Sequence, residues 1–506
     1  MLFNSPEFLF LFLPVVYCLY RMIPVLCCGV AVNLDHQELQ IKFLFLSSLF
    51  FYGYWRWQYL LLILLSIGVN YTLSTCMHRF SNRRRRKSVL IAGILFNLGL
   101  LGYFKYAGFF IDNIEELTGI DYNFSAVILP IGISFFTFQQ IAFLVDHYRH
   151  KLDANSIWRY GLFVAFFPQL IAGPIVHHSQ IMPQFDKPLD KDIWNNLALG
   201  LTIFIIGLFK KVAIADSVGI LSHEVFFATS HGLDPTFISA WLAAISYTVQ
   251  IYFDFSGYSD MAIGLAIMFG IRLPANFNSP YKATSIIDFW RRWHMTLSHF
   301  LKYYLYIPLG GNRYGYFRKL SNILFTMMLG GLWHGAAWNF VLWGMLHGLY
   351  IVINHLWRRI TSIKIHPVLG WGITFLMVVI AWVPFRAEDM DTTIRIYQGM
   401  LGINGISLPA SALPFVKQLS LGLSQFFTYD GLGPVNIWLA VTILPLAIFV
   451  MLIMPNSLEW TRMQQTVGFS RFYWLPSTGK AFFVALLLSI SILKFNDVSE
   501  FLYFQF

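Results

Sequence analysis

The chain has 506 residues, of which 57% are hydrophobic, 18% aromatic and only 12% charged. Soluble domains carry about twice that charged fraction, so the composition excludes a string of soluble domains and points to one continuous membrane body. The formal net charge of +10 does not indicate nucleic acid, because the excess sits in short loops between apolar runs, as in the cytoplasmic loops of membrane proteins.

Apolar stretches follow one another along the whole chain, at 8–28, 41–54, 58–76, 89–111, 127–145, 158–176, 197–215, 238–253 and 262–271, then at 320–332, 336–357, 370–385, 437–454 and 480–493. A helical crossing needs about 20 residues. Several of these are too short and are expected to pair, re-enter or lie at the interface, where protein shields the backbone. The expectation is an all-α polytopic membrane protein with roughly 10–12 transmembrane helices, forming a single membrane-embedded domain over 1–506 with its core motifs in 129–357.

The first run follows an acidic flank ending at Glu7 and lacks an Ala-x-Ala site after it, so it reads as a retained helix rather than a cleaved signal. Cys18, Cys27, Cys28 and Cys76 form no CxxC pair, which argues against a disulfide or metal framework. The run Arg83-Arg84-Arg85-Arg86-Lys87 reads as a topology signal beside anionic headgroups, placing that loop in the cytoplasm. The longest polar interruption, 386–436, is too short for a core of its own.

The stretch 284–307 has helical periodicity, with Ile287, Trp290, Leu297, Leu301, Tyr304 and Leu305 on one stripe. Asp288, Arg291, Arg292, His299 and Lys302 lie opposite, as in a helix in the membrane plane. His294 falls inside the apolar stripe, so it is expected to face the interior. From Leu320 to Trp357 there is no Asp, Glu, Lys or Arg. Gly330-Gly331 marks an expected break there, giving a short helix, a bend and a longer helix, with His334 deep beside the bend.

A buried imidazole stays neutral because charging it costs desolvation, and the neutral ring is what a general base needs. A hydrogen-bonded core histidine is the alternative for His334, but ionisable side chains within a membrane mark sites. His347, His355, His177 and His178 read as structural or loop residues. Asp254 and Asp260 read either as ion ligands of a transporter or as carboxylates that fix helix ends or orient a histidine. The chain has no GxSxG elbow, HExxH or Walker A sequence, and two histidines without a clear third ligand make a weak metal site.

Four stretches carry a resemblance: Leu129-Pro-Ile-Gly-Ile-Ser-Phe-Phe-Thr-Phe-Gln139, Phe167-Pro-Gln-Leu-Ile-Ala-Gly-Pro-Ile175, Tyr252-Phe-Asp-Phe-Ser-Gly-Tyr-Ser-Asp-Met-Ala-Ile-Gly264 with Asn276-Phe-Asn-Ser-Pro-Tyr281 and Asp288-Phe-Trp-Arg-Arg-Trp-His294, and Gly330-Gly-Leu-Trp-His-Gly-Ala-Ala-Trp-Asn339. The N-terminal Met1-Leu-Phe-Asn-Ser and C-terminal Glu500 to Phe506 match as well. Together they resemble the membrane-bound O-acyltransferase (MBOAT) family, in its bacterial polysaccharide-acetylating branch. The resemblance implies a helical bundle around a tunnel, with the Trp-His-Gly histidine, here His334, as central catalytic residue and the Arg-Arg-Trp-His histidine, here His294, as second polar position.

It further implies relay of acetyl groups across the bacterial inner membrane for O-acetylation of an exopolysaccharide such as alginate. The donor would be acetyl-CoA or another acetyl carrier arriving from the cytoplasm; the basic face with Arg291, Arg292 and Lys302 reads equally as an attraction for such an anionic donor or as a membrane anchor. No cofactor would be permanently bound, and periplasmic acetyltransferase partners would finish the transfer. His334 would act as base or hold the acyl group, while His294 would orient the acyl carbonyl or stabilise its negative charge. The rivals are D-alanyl transfer toward teichoic acid, acetylation of cellulose or peptidoglycan, a polysaccharide transporter, and an inert scaffold.

Overall fold

The computed structural model describes residues 1–28, 35–122, 124, 127–150, 156–185, 192–409, 429–430, 436, 438–461, 463, 476–495 and 501–502. It is an assembly of helices: α1 Leu13–Cys28, α2 His36–Gly53, α3 Gln58–Arg79, α4 Arg83–Leu101, α5 Ala107–Thr118, α6 Ile133–His150, α7 Ile157–Ala165, α8 His178–Ile181, α9 Ile193–Phe209 and α10 Asp216–Ser230. There follow α11 Phe237–Met268, α12 Ile286–Arg292, α13 Met295–Phe300, α14 Tyr316–His334, α15 Trp338–Ile360, α16 Pro367–Arg386 and α17 Met390–Met400. Among the described residues the one strand pairing joins Leu408–Pro409 to Tyr429–Asp430. It falls in the polar interruption 386–436, much of which lies outside the described residues, as does most of Glu500–Phe506.

Six helical stretches are long and apolar enough to cross a membrane: Phe8–Leu26, Gln58–Arg79, Arg83–Thr118, Ile193–Ser230, Trp338–Ile360 and Pro367–Arg386. With 18, 18, 32 and 19 residues, α2, α6, α11 and α14 reach crossing length too but carry more polar side chains. The outer surface is apolar, as Leu61, Leu95 and Phe482 show by their exposure, so hydrocarbon is the medium these faces fit. The protein is a multi-pass membrane protein.

Local sequence sets the helix ends. Asn82 caps α4 by accepting from Arg84 N at 2.8 Å. The basic run then occupies the first turn of α4, where cations oppose the helix dipole. Arg86 turns inward, donating to the carbonyls of His147 and Tyr148 at 3.1 and 2.9 Å, so it closes the end of α6.

The core is built on α11, which packs along α9 and α10. Backbone contact is permitted there by glycine: a Cβ on Gly207 would sit 2.5 Å from the carbonyl oxygen of Gly257. Three ion pairs join α10 and α11 to the π-helical turn Lys210–Ala215 that follows α9. Lys210 meets Asp260 at 2.6 Å, and Lys211 meets both Asp254 and Asp216 at 2.7 Å. Ser457 also donates to Asp260, and the amide of Leu502 to Asp254 at 3.2 Å. The reading of Asp254 and Asp260 as helix-end or histidine-orienting carboxylates is therefore corrected. Both lie in mid-helix and neutralise buried lysines, which burial makes obligatory.

Two further expectations are corrected. The helix α14 continues through Gly330-Gly331 and ends only at His334, the break falling at Gly335–Ala337. The glycines serve packing instead, since a Cβ on Gly331 would lie 2.2 Å from the carbonyl oxygen of Phe340 in α15. The expected single helix over 284–307 is divided into α12, α13 and a π-helical turn Leu301–Tyr306. The division falls at His294, whose φ of 41° is left-handed and ends a helical run.

Candidate active site

His334 is the last residue of α14 and is 3% exposed. Aromatic rings enclose it: Trp333 at 4.8 Å, Trp343 at 5.1 Å and Phe385 at 5.1 Å between centroids. The carbonyls at this end of the helix lack intrahelical partners. Tyr106 and Lys105 supply them from the long apolar stretch Arg83–Thr118. The Tyr106 hydroxyl donates to the Leu332 carbonyl at 3.0 Å, and the Lys105 ammonium donates to those of Trp333 and His334 at 2.6 and 3.0 Å. A cation at a helix C-terminus also meets the negative end of its dipole.

His294 is fully buried, as expected, although the helix that set it on the apolar stripe is broken at this residue. Its ring centroid lies 6.4 Å from that of His334, so the fold brings together the two histidines the sequence singles out. His294 Nδ1 lies 3.0 Å from Asn276 Oδ1, and Phe255 of α11 packs edge-on at 4.8 Å. Of the other histidines, His347 adjoins the pair through Trp343, which it shares with His334. His347 is buried among Trp290, Trp343 and Phe289. His177 caps α8 and reaches the Tyr304 hydroxyl at 3.1 Å; Tyr304 in turn donates to Asp146 at 2.6 Å.

A cavity of about 420 Å³ opens beside α12 and α14, lined by Arg291, Lys302, Lys319, His355, Trp290 and Met327 among others. Arg291 and Lys302, expected from sequence to meet an anionic donor, share this wall; Arg292 instead pairs with Asp288 at 3.0 Å. The inner wall leads toward the histidines. Trp290 stands 5.8 Å from Trp343, and Trp343 5.1 Å from His334. Met327 is seven residues before His334 in α14, about 10 Å along the axis. Among the described residues no group of three or more His, Cys, Asp or Glu is placed to hold a metal ion.

Lys105 and Asn276 were not singled out from sequence. Lys105 had a signal, being the sole charged residue between Val89 and Ile111, and intramembrane charges mark sites. Asn276 had none beyond its place in a quoted motif.

The fold is that of a multi-pass membrane protein. A model of the family described as "MBOAT, membrane-bound O-acyltransferase family" matches residues 49–386. Among curated relatives the chain is 40% identical to the peptidoglycan O-acetyltransferase of Helicobacter pylori, over 100% of this chain and 98% of that one. It is 39% identical to the "Probable alginate O-acetylase AlgI" of Pseudomonas aeruginosa, over 84% of this chain and 82% of that one. It is 27% identical to the teichoic acid D-alanyltransferase of Streptococcus thermophilus, over 45% and 57%. The chain belongs to the membrane-bound O-acyltransferase family and is an O-acyltransferase.

Proposed function

We propose that the protein takes an acetyl group from a cytoplasmic thioester, acetyl-CoA or another acetyl carrier, and passes it across the bacterial inner membrane. Periplasmic partners use it to O-acetylate a polysaccharide, an exopolysaccharide of the alginate kind. The near full-length similarity to a peptidoglycan O-acetyltransferase favours peptidoglycan as a second acceptor reading. The D-alanyl reading has less support, because that relative matches 45% of the chain.

The observation that carries the proposal is the chain of packed rings, Trp290 to Trp343 to His334, that joins the wall of the basic cavity to the histidine. The cavity's cations suit the phosphates of a donor such as CoA. Positive charge also marks the cavity's end of the bundle, with Arg358 and Arg359 at the end of α15, while Asp389 and Asp391 stand at the opposite end, at the start of α17. That asymmetry fits a cytoplasmic cavity. The whole chain works as one membrane-embedded domain.

In this reading the acceptor oxygen attacks the thioester carbonyl at His334. The O–C bond forms, the C–S bond breaks, and the pair of His334 and His294 takes the hydroxyl proton and returns it to the departing sulfur. His294 is the second residue of the pair. Desolvation by the surrounding Trp and Phe rings keeps water from hydrolysing the thioester.

The test uses inside-out membrane vesicles from cells with and without the protein, supplied with acetyl-labelled acetyl-CoA. Label appearing in lumenal polysaccharide only when the protein is present is the expected result. Equal labelling in both, or transport of D-alanine instead, sinks the acetyl reading.

A further inference from the structure

We propose that Asn276 is a positioning residue that holds His294 in the tautomer with its proton on Nδ1, so that His294 enters acyl transfer as a proton acceptor at Nε2. The inference rests on the reading of His334 and His294 as the reacting pair. It replaces the donor role that sequence resemblance gave His294.

The orientation of the Asn276 amide is over-determined. Its Oδ1 lies 3.4 Å from the backbone nitrogen of Thr296, a group that only donates. It also lies 3.0 Å from Thr296 Oγ1. That hydroxyl already accepts from the Ile175 amide at 3.0 Å, which leaves its own proton for Asn276. On the other side Asn276 Nδ2 donates to Ser259 Oγ of α11 at 3.4 Å. Asparagine oxygen and nitrogen are otherwise assigned by such networks alone. Here an oxygen faces His294, and an amide oxygen accepts only. The ring nitrogen 3.0 Å away therefore carries the proton.

The backbone locks the same arrangement. The amide of Met295 donates to the Asn276 carbonyl and that of Asn278 to the Arg292 carbonyl, each at 2.9 Å. Between these two bonds His294 sits at φ 41° and ψ 55°, a conformation that persists only where its surroundings enforce it. Ring and main chain are thus both held by the segment that carries Asn276.

A neutral imidazole protonated at Nδ1 offers a lone pair at Nε2. Donation from Nε2 to a carbonyl oxygen would require a second proton on the ring. The groups around it do not supply the charge for that. Asp254 and Asp260 of α11 are engaged by Lys211 and Lys210. Lys105 is bound to the carbonyl of His334, and Phe255 and Trp333 present rings at 4.8 and 6.3 Å. The partner at Nδ1 is a neutral amide, which orients the ring without charging it. His294 then accepts the hydrogen bond of the attacking hydroxyl. The proton released as the O–C bond forms is taken at Nε2, because Asn276 keeps Nδ1 occupied, and is returned from that same nitrogen to the departing thiolate.

Two measurements on the full-length protein in lipid bilayers test this. In the wild type, nitrogen NMR of labelled histidine, assigned with His294→Gln, is expected to show His294 protonated at Nδ1; protonation at Nε2 overturns the proposal. In acetyl transfer, Asn276→Asp is expected to stay within about tenfold of wild type and to move the acidic limb of the pH–rate profile upward, because a carboxylate stabilises the imidazolium. Asn276→Leu is expected to lower the rate about 10- to 100-fold with the limb not raised. A limb that stays in place in Asn276→Asp also overturns the proposal. Activity that survives His334→Ala in the same assay overturns the underlying reading instead, whatever the Asn276 variants do.

Discussion

Lys105 donates from its ammonium to the main-chain carbonyl of His334 at 3.0 Å, across 229 positions of sequence. It holds the helix end that carries the histidine rather than the imidazole itself. Lys105→Met removes the cation and leaves buried carbonyls unsatisfied, at about 1–3 kcal/mol. Acetyl transfer per amount of membrane-inserted protein is expected to fall about 10- to 100-fold, with Lys105→Arg retaining more. Wild-type rates in Lys105→Met would mean that Tyr106 alone suffices to hold the helix end.

The cations of the cavity predict a binding effect. Lys302→Glu and Lys319→Glu are each expected to raise the KM for acetyl-CoA about fivefold or more, from about 1 kcal/mol per charge. kcat should stay near wild type, because the phosphates do not change charge during the reaction. High salt should shrink the difference. Steady-state kinetics at two ionic strengths checks it, and a change confined to kcat would remove the donor from this cavity.

Gly331 and Gly372 make a matched pair. A Cβ on Gly331 collides with the Phe340 carbonyl, whereas one on Gly372 meets nothing within 4 Å. Gly331→Ala is expected to cost about 1–3 kcal/mol through overpacking. Gly372→Ala should be neutral or stabilising by about 0.5–1 kcal/mol. Thermal unfolding in detergent separates the two, and equal midpoints would contradict helix contact at Gly331.

Removal of one member of a buried ion pair strands the other charge, at about 3–5 kcal/mol. Asp260→Leu, which strands Lys210, is therefore expected to lower the yield of folded protein, and pairing it with Lys210→Met to recover part of the loss. Detergent-extracted monodisperse protein is the readout. The double variant faring worse than either single would show that the pair is not the stabilising unit.

The apolar runs made the membrane class legible, because crossing length and lack of charge are local properties of sequence. The burial of His294 agrees with its place on the apolar stripe, although the residue itself interrupts the helix and is enclosed by Asn276 and Phe255. What stayed hidden depends on contacts between distant segments. Gly330-Gly331 looked like a bend, since nothing local says that Phe340 packs against Gly331. Asp254 and Asp260 looked available until α9 and the π-helical turn Lys210–Ala215 brought two lysines to them. The left-handed backbone of His294 comes from the segment around Asn276 and has no signature in helical periodicity.

The most direct measurement is the O-acetyl content of envelope and secreted polysaccharide from cells carrying His334→Ala, with the variant shown to reach the membrane at wild-type level. Acetyl groups are expected to fall to the level of cells lacking the protein, with polymer yield unchanged. Acetylation at the wild-type level would make His334 a buried core histidine and move the chemistry away from the end of α14.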